Sequence, residues 1–191
     1  MEGGNLPTGA PVGSKAGDPN PYATINPYTG EPTHLEWQTP VRLYDFLNNI
    51  YHFQVDAAAN ADNRLCQVWY GPESPAINGE DALSVPTWLS PAWCNPPYGK
   101  GIERWLEKFI QQRALGNTVV ALLPARTETQ WWAKGIVPYA DIIFLTGRVP
   151  FVGPHKGKKS QPDHASAICI YSPMSTGGSA KWWDWRKTCG S

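Results

Sequence analysis

The sequence lacks the features of a protein held together by metal ions or disulfides. Its four cysteines (Cys66, Cys94, Cys169 and Cys189) lie far apart, with no Cys-x-x-Cys pair and no histidine at zinc spacing. A domain of this length buries roughly two-thirds of its unfolded surface, so it needs no such crosslink to fold. We therefore expect no metal site, and we expect reduced thiols in a cytoplasmic protein.

Long apolar runs are also missing. The longest, residues 119–125, is far shorter than the ~20 residues that a membrane-spanning helix needs. The first residues, Met1 to Asn5, lack the basic and apolar regions of a secretion signal. These absences predict a soluble protein with no membrane partner.

The protein has no formal net charge, but its charged residues are unevenly distributed along the chain. Residues 36–98 carry two arginines against seven acids, whereas residues 99–191 carry 13 lysines and arginines against six acids. Such a split is typical of proteins with an anionic partner, of which nucleic acid is the common case. Chance placement of solvated charges explains it equally well.

Composition divides the chain into three parts. Residues 1–34 are rich in glycine and proline without any periodic pattern, which predicts a flexible N-terminal arm. Residues 35–172 are expected to form one domain, and residues 173–191 a C-terminal tail. The tail contains a cluster of tryptophan and basic residues, 181–187, that either docks on the domain or touches a ligand.

Helical signals recur along the domain. Thr39-Pro40 predicts an N-cap followed by the first residue of a helix, because apolar residues then recur at helical spacing over 43–50. The clearest amphipathic pattern covers residues 102–110. Thr127 and Gln130 predict a capping box for a helix that ends near residue 136.

Strand-like segments alternate with these helices, which predicts an α/β fold with a mostly parallel sheet covered by helices on both faces. The last two segments have no helix between them, so the last strand should pair antiparallel. Ligands in such folds bind beyond the carboxyl ends of the strands, where Asp56, Asn95 and the turn 124–127 are expected. The predicted strands are 53–56, 66–69, 93–94, 118–123, 141–145, 149–151 and 165–171.

The loop Asn95-Pro96-Pro97-Tyr98 follows an apolar strand and precedes a helix. Two prolines fix the backbone and remove two N–H donors, so the loop is stiff and its carbonyls are expected to point outward. The Asn95 amide oxygen and the Pro96 carbonyl can accept the two hydrogens of a planar amino group, while the Tyr98 ring stacks on its face. The alternative is a simple proline-rich turn, which the strand before it and the helix after it make less favourable.

These residues resemble the catalytic motif of enzymes that methylate exocyclic amines, and the wider pattern resembles the phage-type (Dam-like) DNA N6-adenine methyltransferases over about residues 35–172. The resemblance implies a Rossmann-like fold that uses S-adenosylmethionine. The matching segments are Glu36-Trp37-Gln38-Thr39-Pro40, Val55-Asp56-Ala57-Ala58-Ala59, Asp81-Ala82-Leu83, Trp93 to Gly99, Leu122 to Thr127, and Gly147 to Phe151.

The resemblance also implies a cofactor pocket between the segments Gln38-Thr39-Pro40 and Asp56-Ala57-Ala58, with Asp81 near the adenine of the cofactor. One departure from the family pattern concerns this pocket: the usual glycine-rich turn after the first strand is alanine-rich here, and no acid ends the segment 66–69. The remaining cofactor-binding residues that the resemblance implies are Trp37, Gln38, Thr39, Pro40, Asp56, Ala57 and Ala58.

DNA is the expected partner, and cationic side chains are the expected contacts to its phosphates. A solvated loop is an equally good explanation for the lysines among them. The candidate residues are Arg126, Arg148, Lys156, Lys158 and Lys159.

We therefore expect transfer of a methyl group to adenine N6 in DNA, in the host cytoplasm if the protein is encoded by a phage. Its role, evasion of host restriction or regulation, is left open by the sequence. Two alternatives remain: methylation of an RNA base or a glutamine amide, and a catalytically inactive nucleic-acid-binding module of the same fold.

Overall fold

The computed structural model describes residues 38–71, 73–77, 81–99, 101–151 and 164–189. The expected arm, residues 1–34, lies outside the described residues. In chain order the elements are α1 (Val41–Tyr51), β1 (Val55–Asp56), β2 (Ala92–Cys94), α2 (Ile102–Ala114), β3 (Val119–Pro124), α3 (Gln130–Gly135), β4 (Asp141–Leu145), β5 (Ser166–Tyr171), β6 (Ala180–Trp183) and α4 (Trp185–Cys189).

The strands form one six-stranded sheet in the order β1-β2-β3-β5-β4-β6. Strand β5 is antiparallel to both of its neighbours, and the other five strands run in the opposite direction to it. In register, Ala92 lies opposite Val55 on one side and Val119 on the other. The mixed, mostly parallel α/β architecture predicted from the sequence is therefore confirmed, and residues 166–171 form an antiparallel strand. The expected partner of that strand was wrong: β5 pairs with β3 and β4 and not with residues 149–151, and the last strand, β6, is parallel to its neighbour.

Side-chain alternation along the strands builds a separate apolar core on each face of the sheet. Trp93 packs with α1 and Trp185 of α4 on one face, whereas Cys94 packs with α2 and Trp132 of α3 on the other. Trp93, Trp105 and Trp185 are fully buried. Burial of a large apolar side chain stabilises the fold by roughly 1.5–3 kcal/mol, so both cores stabilise the packing of helices on the sheet.

The helix starts differ from their sequence predictions. Pro40 itself is the N-cap of α1, and no side chain caps that helix, so the predicted Thr39 cap is wrong. Helix α3 is capped by Thr129, not by the predicted Thr127, because Thr129 has the extended backbone that lets its hydroxyl accept the Trp132 N–H. Among the described residues no helix is both long enough and apolar enough to cross a bilayer.

Two predicted strands are not formed. Residues 66–69 make only an isolated parallel bridge between Asp56 and Trp69. The Arg64 guanidinium donates to the carbonyls of Cys66 and Gln67 in this segment. Residues 149–151 form a tight turn in which the Phe151 N–H donates to the Val149 carbonyl.

A strand that the sequence did not predict, β6, completes the sheet. It pairs in parallel with β4, and the short helix α4 follows it and packs on the α1 face. The tryptophan and basic cluster 181–187 therefore docks on the domain, and the sheet extends beyond the expected boundary at residue 172.

Candidate active site

The turns that follow β1, β2 and β3 meet at one edge of the sheet. These strands are neighbours and parallel, so their carboxyl ends, Asp56, Cys94 and Pro124, lie side by side. The predicted gathering of Asp56, Asn95 and the turn 124–127 at this edge is confirmed. Three separate parts of the chain thus meet at the edge where ligands bind in such folds.

The loop 95–98 is anchored at both ends. Before it, Trp93 and Cys94 are fully buried; after it, Gly101 in the left-handed conformation caps α2. Pro96 is buried, whereas Asn95, Pro97 and Tyr98 are half-buried. The loop therefore has a fixed backbone and side chains that still reach the surface.

The Tyr98 hydroxyl connects the loop to the neighbouring strand. It lies 2.6 Å from Asn95 Oδ1 and 3.1 Å from the carbonyl oxygen of Leu122 in β3. Burial raises the pKa of Tyr98 well above its usual value, so the hydroxyl stays protonated and can donate. The hydroxyl has a single hydrogen, which it donates to Asn95 Oδ1 at the shorter distance and shares with the Leu122 carbonyl, so it orients the Asn95 carboxamide.

The loop carries two carbonyl-type acceptors. The Asn95 oxygen accepts the Tyr98 hydroxyl, and a carboxamide oxygen can accept two hydrogen bonds. Within the residues that the structure describes, the Pro96 carbonyl accepts no backbone hydrogen bond. The roles of Asn95, Pro96, Pro97 and Tyr98 remain a prediction, and this geometry is compatible with it.

A contact that the sequence analysis missed holds the other side of Tyr98. The Phe151 ring meets Tyr98 edge-on, with 6.3 Å between the ring centroids, and Phe151 is buried. The sequence placed Phe151 in a strand, although its membership in the matched segment Gly147 to Phe151 was a signal that could have pointed to the site.

Asp56 has turned inward. It is 3% exposed, and its carboxylate accepts the N–H of Leu65 at 3.1 Å and, more weakly, that of Ala58 at 3.4 Å. Burial raises the pKa of Asp56 to about 7, against the lowering effect of these two hydrogen bonds. In this arrangement the carboxylate folds the turn, and its predicted contact with the cofactor stays a prediction.

The alanine-rich turn achieves close packing without its own glycines. The Ala57 N–H donates to the Trp93 carbonyl, and the Ala59 N–H donates to the Tyr70 carbonyl. Gly71, with φ of +150°, lies against the Ala59 carbonyl, where a Cβ would collide. Small side chains at Ala57 and Ala58 and a glycine from the next segment thus supply the close approach that a glycine-rich turn provides.

The other predicted cofactor residues lie in separate parts of the chain. Thr39 and Pro40 are buried at the start of α1, and Gln38 is exposed just before them. Asp81 is half-buried and accepts the Leu83 N–H at 2.9 Å. Trp37 lies outside the described residues.

Of the predicted phosphate contacts, Arg126 and Arg148 are described, and both lie at the carboxyl edge. Arg126 is engaged already: its guanidinium forms an ion pair with Glu128 and lies 3.2 Å from His164 Nε2. Arg148 is exposed on the turn after β4. The lysines Lys156, Lys158 and Lys159 lie outside the described residues.

A comparison with known protein families decides the membership of the chain. The family model described as DNA N-6-adenine-methyltransferase (Dam) matches residues 28–184, which is most of the sequence. The chain belongs to the Dam family. The family resemblance inferred from the sequence motifs is confirmed.

Two curated relatives extend this result. The DNA N-6-adenine-methyltransferase of Escherichia phage T1 is 27% identical over 148 residues, which cover 69% of this chain and 60% of the phage T1 protein. The DNA N-6-adenine-methyltransferase of Haemophilus phage HP1 is 23% identical over 150 residues, covering 76% of this chain and 83% of that protein. This Dam family chain thus spans about 60% of the length of its T1 relative.

Among the described residues, no three histidine, cysteine, aspartate or glutamate side chains are grouped so that they could hold a metal ion. Membership in a methyltransferase family implies a methyl donor.

Proposed function

We propose that this protein transfers a methyl group from S-adenosylmethionine to N6 of adenine in DNA. The observation that carries the proposal is the loop Asn95-Pro96-Pro97-Tyr98 at the carboxyl end of β2, with the Asn95 oxygen oriented by the Tyr98 hydroxyl. Membership in the Dam family and the similarity to two phage enzymes of that name support the same reaction.

The chemical difficulty is that an exocyclic amine of a base is a poor nucleophile, because its lone pair is conjugated with the ring. The Asn95 oxygen and the Pro96 carbonyl would accept the two N6 hydrogens, which draws the lone pair out of conjugation. S-adenosylmethionine would supply, when bound, a methyl carbon on a positively charged sulfur; the N6 lone pair forms a bond to that carbon as the carbon–sulfur bond breaks and the neutral thioether leaves. Once N6 carries the methyl group it loses a proton, for which a weak acceptor is sufficient.

The Tyr98 ring would support the adenine face, and its hydroxyl holds Asn95 in place before the base arrives. Because both acceptors are fixed by the fold, little reorganisation is needed when charge develops at N6. Positioning of the reacting atoms supplies the rest of the rate.

The cofactor would bind beside the alanine-rich turn. The small side chains of Ala57 and Ala58 fit a ligand that must approach the backbone closely, and Gln38 offers a polar group near the start of α1. We assign Trp37, Thr39, Pro40 and Asp81 to the same pocket on the resemblance alone. Asp56 would act mainly by shaping the turn, since its carboxylate already accepts two N–H groups.

DNA would approach the carboxyl edge of the sheet. The protein would act in the cell compartment that contains its DNA substrate. Arg126 follows β3 and Arg148 follows β4, both on the same side of β2 in the strand order. We assign the phosphate backbone to them and to Lys156, Lys158 and Lys159. A base inside a duplex cannot reach the loop, so the target adenine must leave the stack, at a cost of a few kcal/mol.

The experiment that tests this function offers radiolabelled S-adenosylmethionine with DNA, RNA or protein in parallel reactions. We expect label in DNA only, and none with Asn95→Ala. Label in RNA or protein instead would favour the alternative substrates. If no polymer is labelled, calorimetric titration with the cofactor distinguishes the inactive module, since such a module should release no heat of binding.

A further inference from the structure

The turn 146–151 connects the proposed DNA surface to Tyr98. On its inner side Val149 and Phe151 are buried, and Phe151 packs against the Tyr98 ring. On its outer side Arg148 is exposed. The placement of this turn therefore sets where a phosphate held by Arg148 lies relative to a base held above Tyr98.

Arg186 of α4 holds the turn from outside. Its Nη2 donates a hydrogen bond to the Arg148 carbonyl. Gly147 has a φ of +75°, and its missing side chain leaves the space that the guanidinium fills: a Cβ there would collide with Arg186 Nη1. The positive φ favours glycine at this position, and the exposed Arg186 side chain lies in the space beside it.

Arg186 also lies against a core residue, although its own side chain is exposed. Its guanidinium carbon lies 5.6 Å from the centroid of the fully buried Trp185 ring, and Arg42 of α1 lies 5.9 Å from the same ring. One turn residue, Thr146, also donates its N–H to the Trp183 carbonyl at 2.9 Å. The C-terminal segment therefore links the turn to α1, the helix that starts at the predicted cofactor residue Pro40.

We propose that Arg186 is a positioning residue for methyl transfer, holding the turn 146–151 so that Arg148 and Tyr98 keep a fixed separation. This inference depends on the proposed function. Its physical reason is that the phosphate and the extruded base belong to one DNA strand, so a displacement of about 1 Å between their two contacts can cost about 10²-fold in rate.

The competing explanation is that Arg186, an exposed cation at the same edge, contacts DNA phosphate directly. The two explanations predict different effects of replacing Arg186 with lysine. Lysine keeps the charge, but it lacks the planar fork that stacks on Trp185 while donating to the Arg148 carbonyl. A positioning arginine should therefore resist replacement by lysine, whereas a phosphate contact should tolerate it.

The test measures kcat at saturating DNA, and the salt dependence of the DNA Kd, for Arg186→Ala, Arg186→Lys and Arg148→Ala. Lys187→Ala is the matched control, because it removes one exposed charge from the same helix. We expect kcat to fall about tenfold in both Arg186 variants with the salt slope unchanged, and the slope to fall by ~0.9 in Arg148→Ala. Lys187→Ala should keep the wild-type kcat.

A wild-type kcat in Arg186→Lys, or a salt slope reduced by ~0.9 in Arg186→Ala, would overturn the proposal. If Arg186→Ala does not fold, Arg186→Lys alone decides. Hydrogen exchange of a peptide covering residues 144–151 gives a second readout that needs no activity: it should be faster in both variants than in wild type. If the wild type methylates no DNA, the proposed function fails. If hydrogen exchange of the peptide 144–151 is the same in the variants and in wild type, the contact between Arg186 and the turn is rejected, whatever the activity.

Discussion

The turn that follows β1 and the loop that follows β2 occupy neighbouring positions at the carboxyl edge of the sheet. In the first, the Asp56 carboxylate is buried and accepts N–H groups of its own segment. In the second, the Asn95 carboxamide is half-buried and is oriented by the Tyr98 hydroxyl. Adjacent strand ends thus carry one polar group that is buried in its own turn and another that reaches the surface, to which we assign the chemistry.

This difference explains how a site can be both rigid and reactive. The β1 turn stabilises itself with its own acid, so small side chains and backbone are what it presents to a ligand. The β2 loop obtains its rigidity from two prolines and from a hydroxyl that reaches across to Leu122. The four predictions below test this contrast.

The largest effect is expected on the β2 side, from Asn95→Ala. Loss of one preorganised acceptor for N6 should lower the rate of methyl transfer by about 10²–10³-fold. Because Asn95 is half-buried at the surface of the fold, the thermal midpoint and the DNA Kd should stay near the wild-type values. Single-turnover kinetics with saturating DNA measures the rate, and a variant that retains the wild-type rate would remove Asn95 from the site.

The next effect concerns Asp56 and pH. Its folded-state pKa of about 7 lies above the unfolded value, so the folded state holds the proton more tightly, and ionisation of Asp56 reduces stability as the pH rises from about 4 to 7. The free energy of unfolding of wild type should therefore fall by roughly 2–3 kcal/mol between pH 5 and pH 8 relative to Asp56→Asn.

Urea unfolding of both proteins at the two pH values checks this expectation. The exposed Asp62 provides the control, because Asp62→Asn should show the same pH dependence as wild type. A constant difference between wild type and Asp56→Asn would mean that Asp56 is not buried as the structure places it.

A smaller effect is expected from Tyr98→Phe, which keeps the ring and removes the hydroxyl that orients Asn95. We expect kcat to fall about tenfold and stability to fall by ~1 kcal/mol for the lost hydrogen bond. Tyr171→Phe is the matched control: its buried hydroxyl donates to the Gly135 carbonyl, away from the site. It should lose similar stability without loss of kcat, and equal kcat losses in both variants would contradict a specific role for Tyr98.

The smallest effect is expected at Glu128, whose pKa is lowered by its hydrogen bond to Arg126, so it stays ionised beside that guanidinium. Glu128→Gln should release Arg126 for a phosphate and tighten DNA binding by about 2–5-fold at low salt. Fluorescence anisotropy with labelled duplex measures the Kd. Glu107→Gln, which changes the same charge on an exposed face of α2, should alter it less; tighter binding in both would show a general charge effect.

Local patterns in the sequence predicted the elements that depend on local residues. The apolar spacing over 102–110 identified the buried face of α2, where Ile102, Trp105 and Phe109 are buried. The loop 95–98 and its place at a strand end were predicted because proline restricts its own backbone and that of the residue before it. The family resemblance then identified the chemistry that such a loop serves.

What could not be predicted depends on partners distant in sequence. Strand β6 has four residues and no clear alternation, and it exists because β4 offers an edge some 38 residues earlier in the chain. The Tyr98 hydroxyl finds Leu122 only after β2 and β3 pair. The Asp56 side chain likewise points inward because it accepts the Leu65 N–H, nine residues further along the chain. The sequence alone therefore could not show whether this carboxylate stabilises the turn or contacts the cofactor.

The central claim is that the loop after β2 presents its acceptors to the amino group of adenine, and the identity of the methylated nucleoside tests it most directly. DNA methylated by the wild-type protein is digested to nucleosides and analysed by mass spectrometry. The account predicts that the added methyl group lies on N6 of deoxyadenosine, and that this product is missing with Asn95→Ala. A methyl group on a ring nitrogen, or an undiminished N6 product from Asn95→Ala, would contradict it.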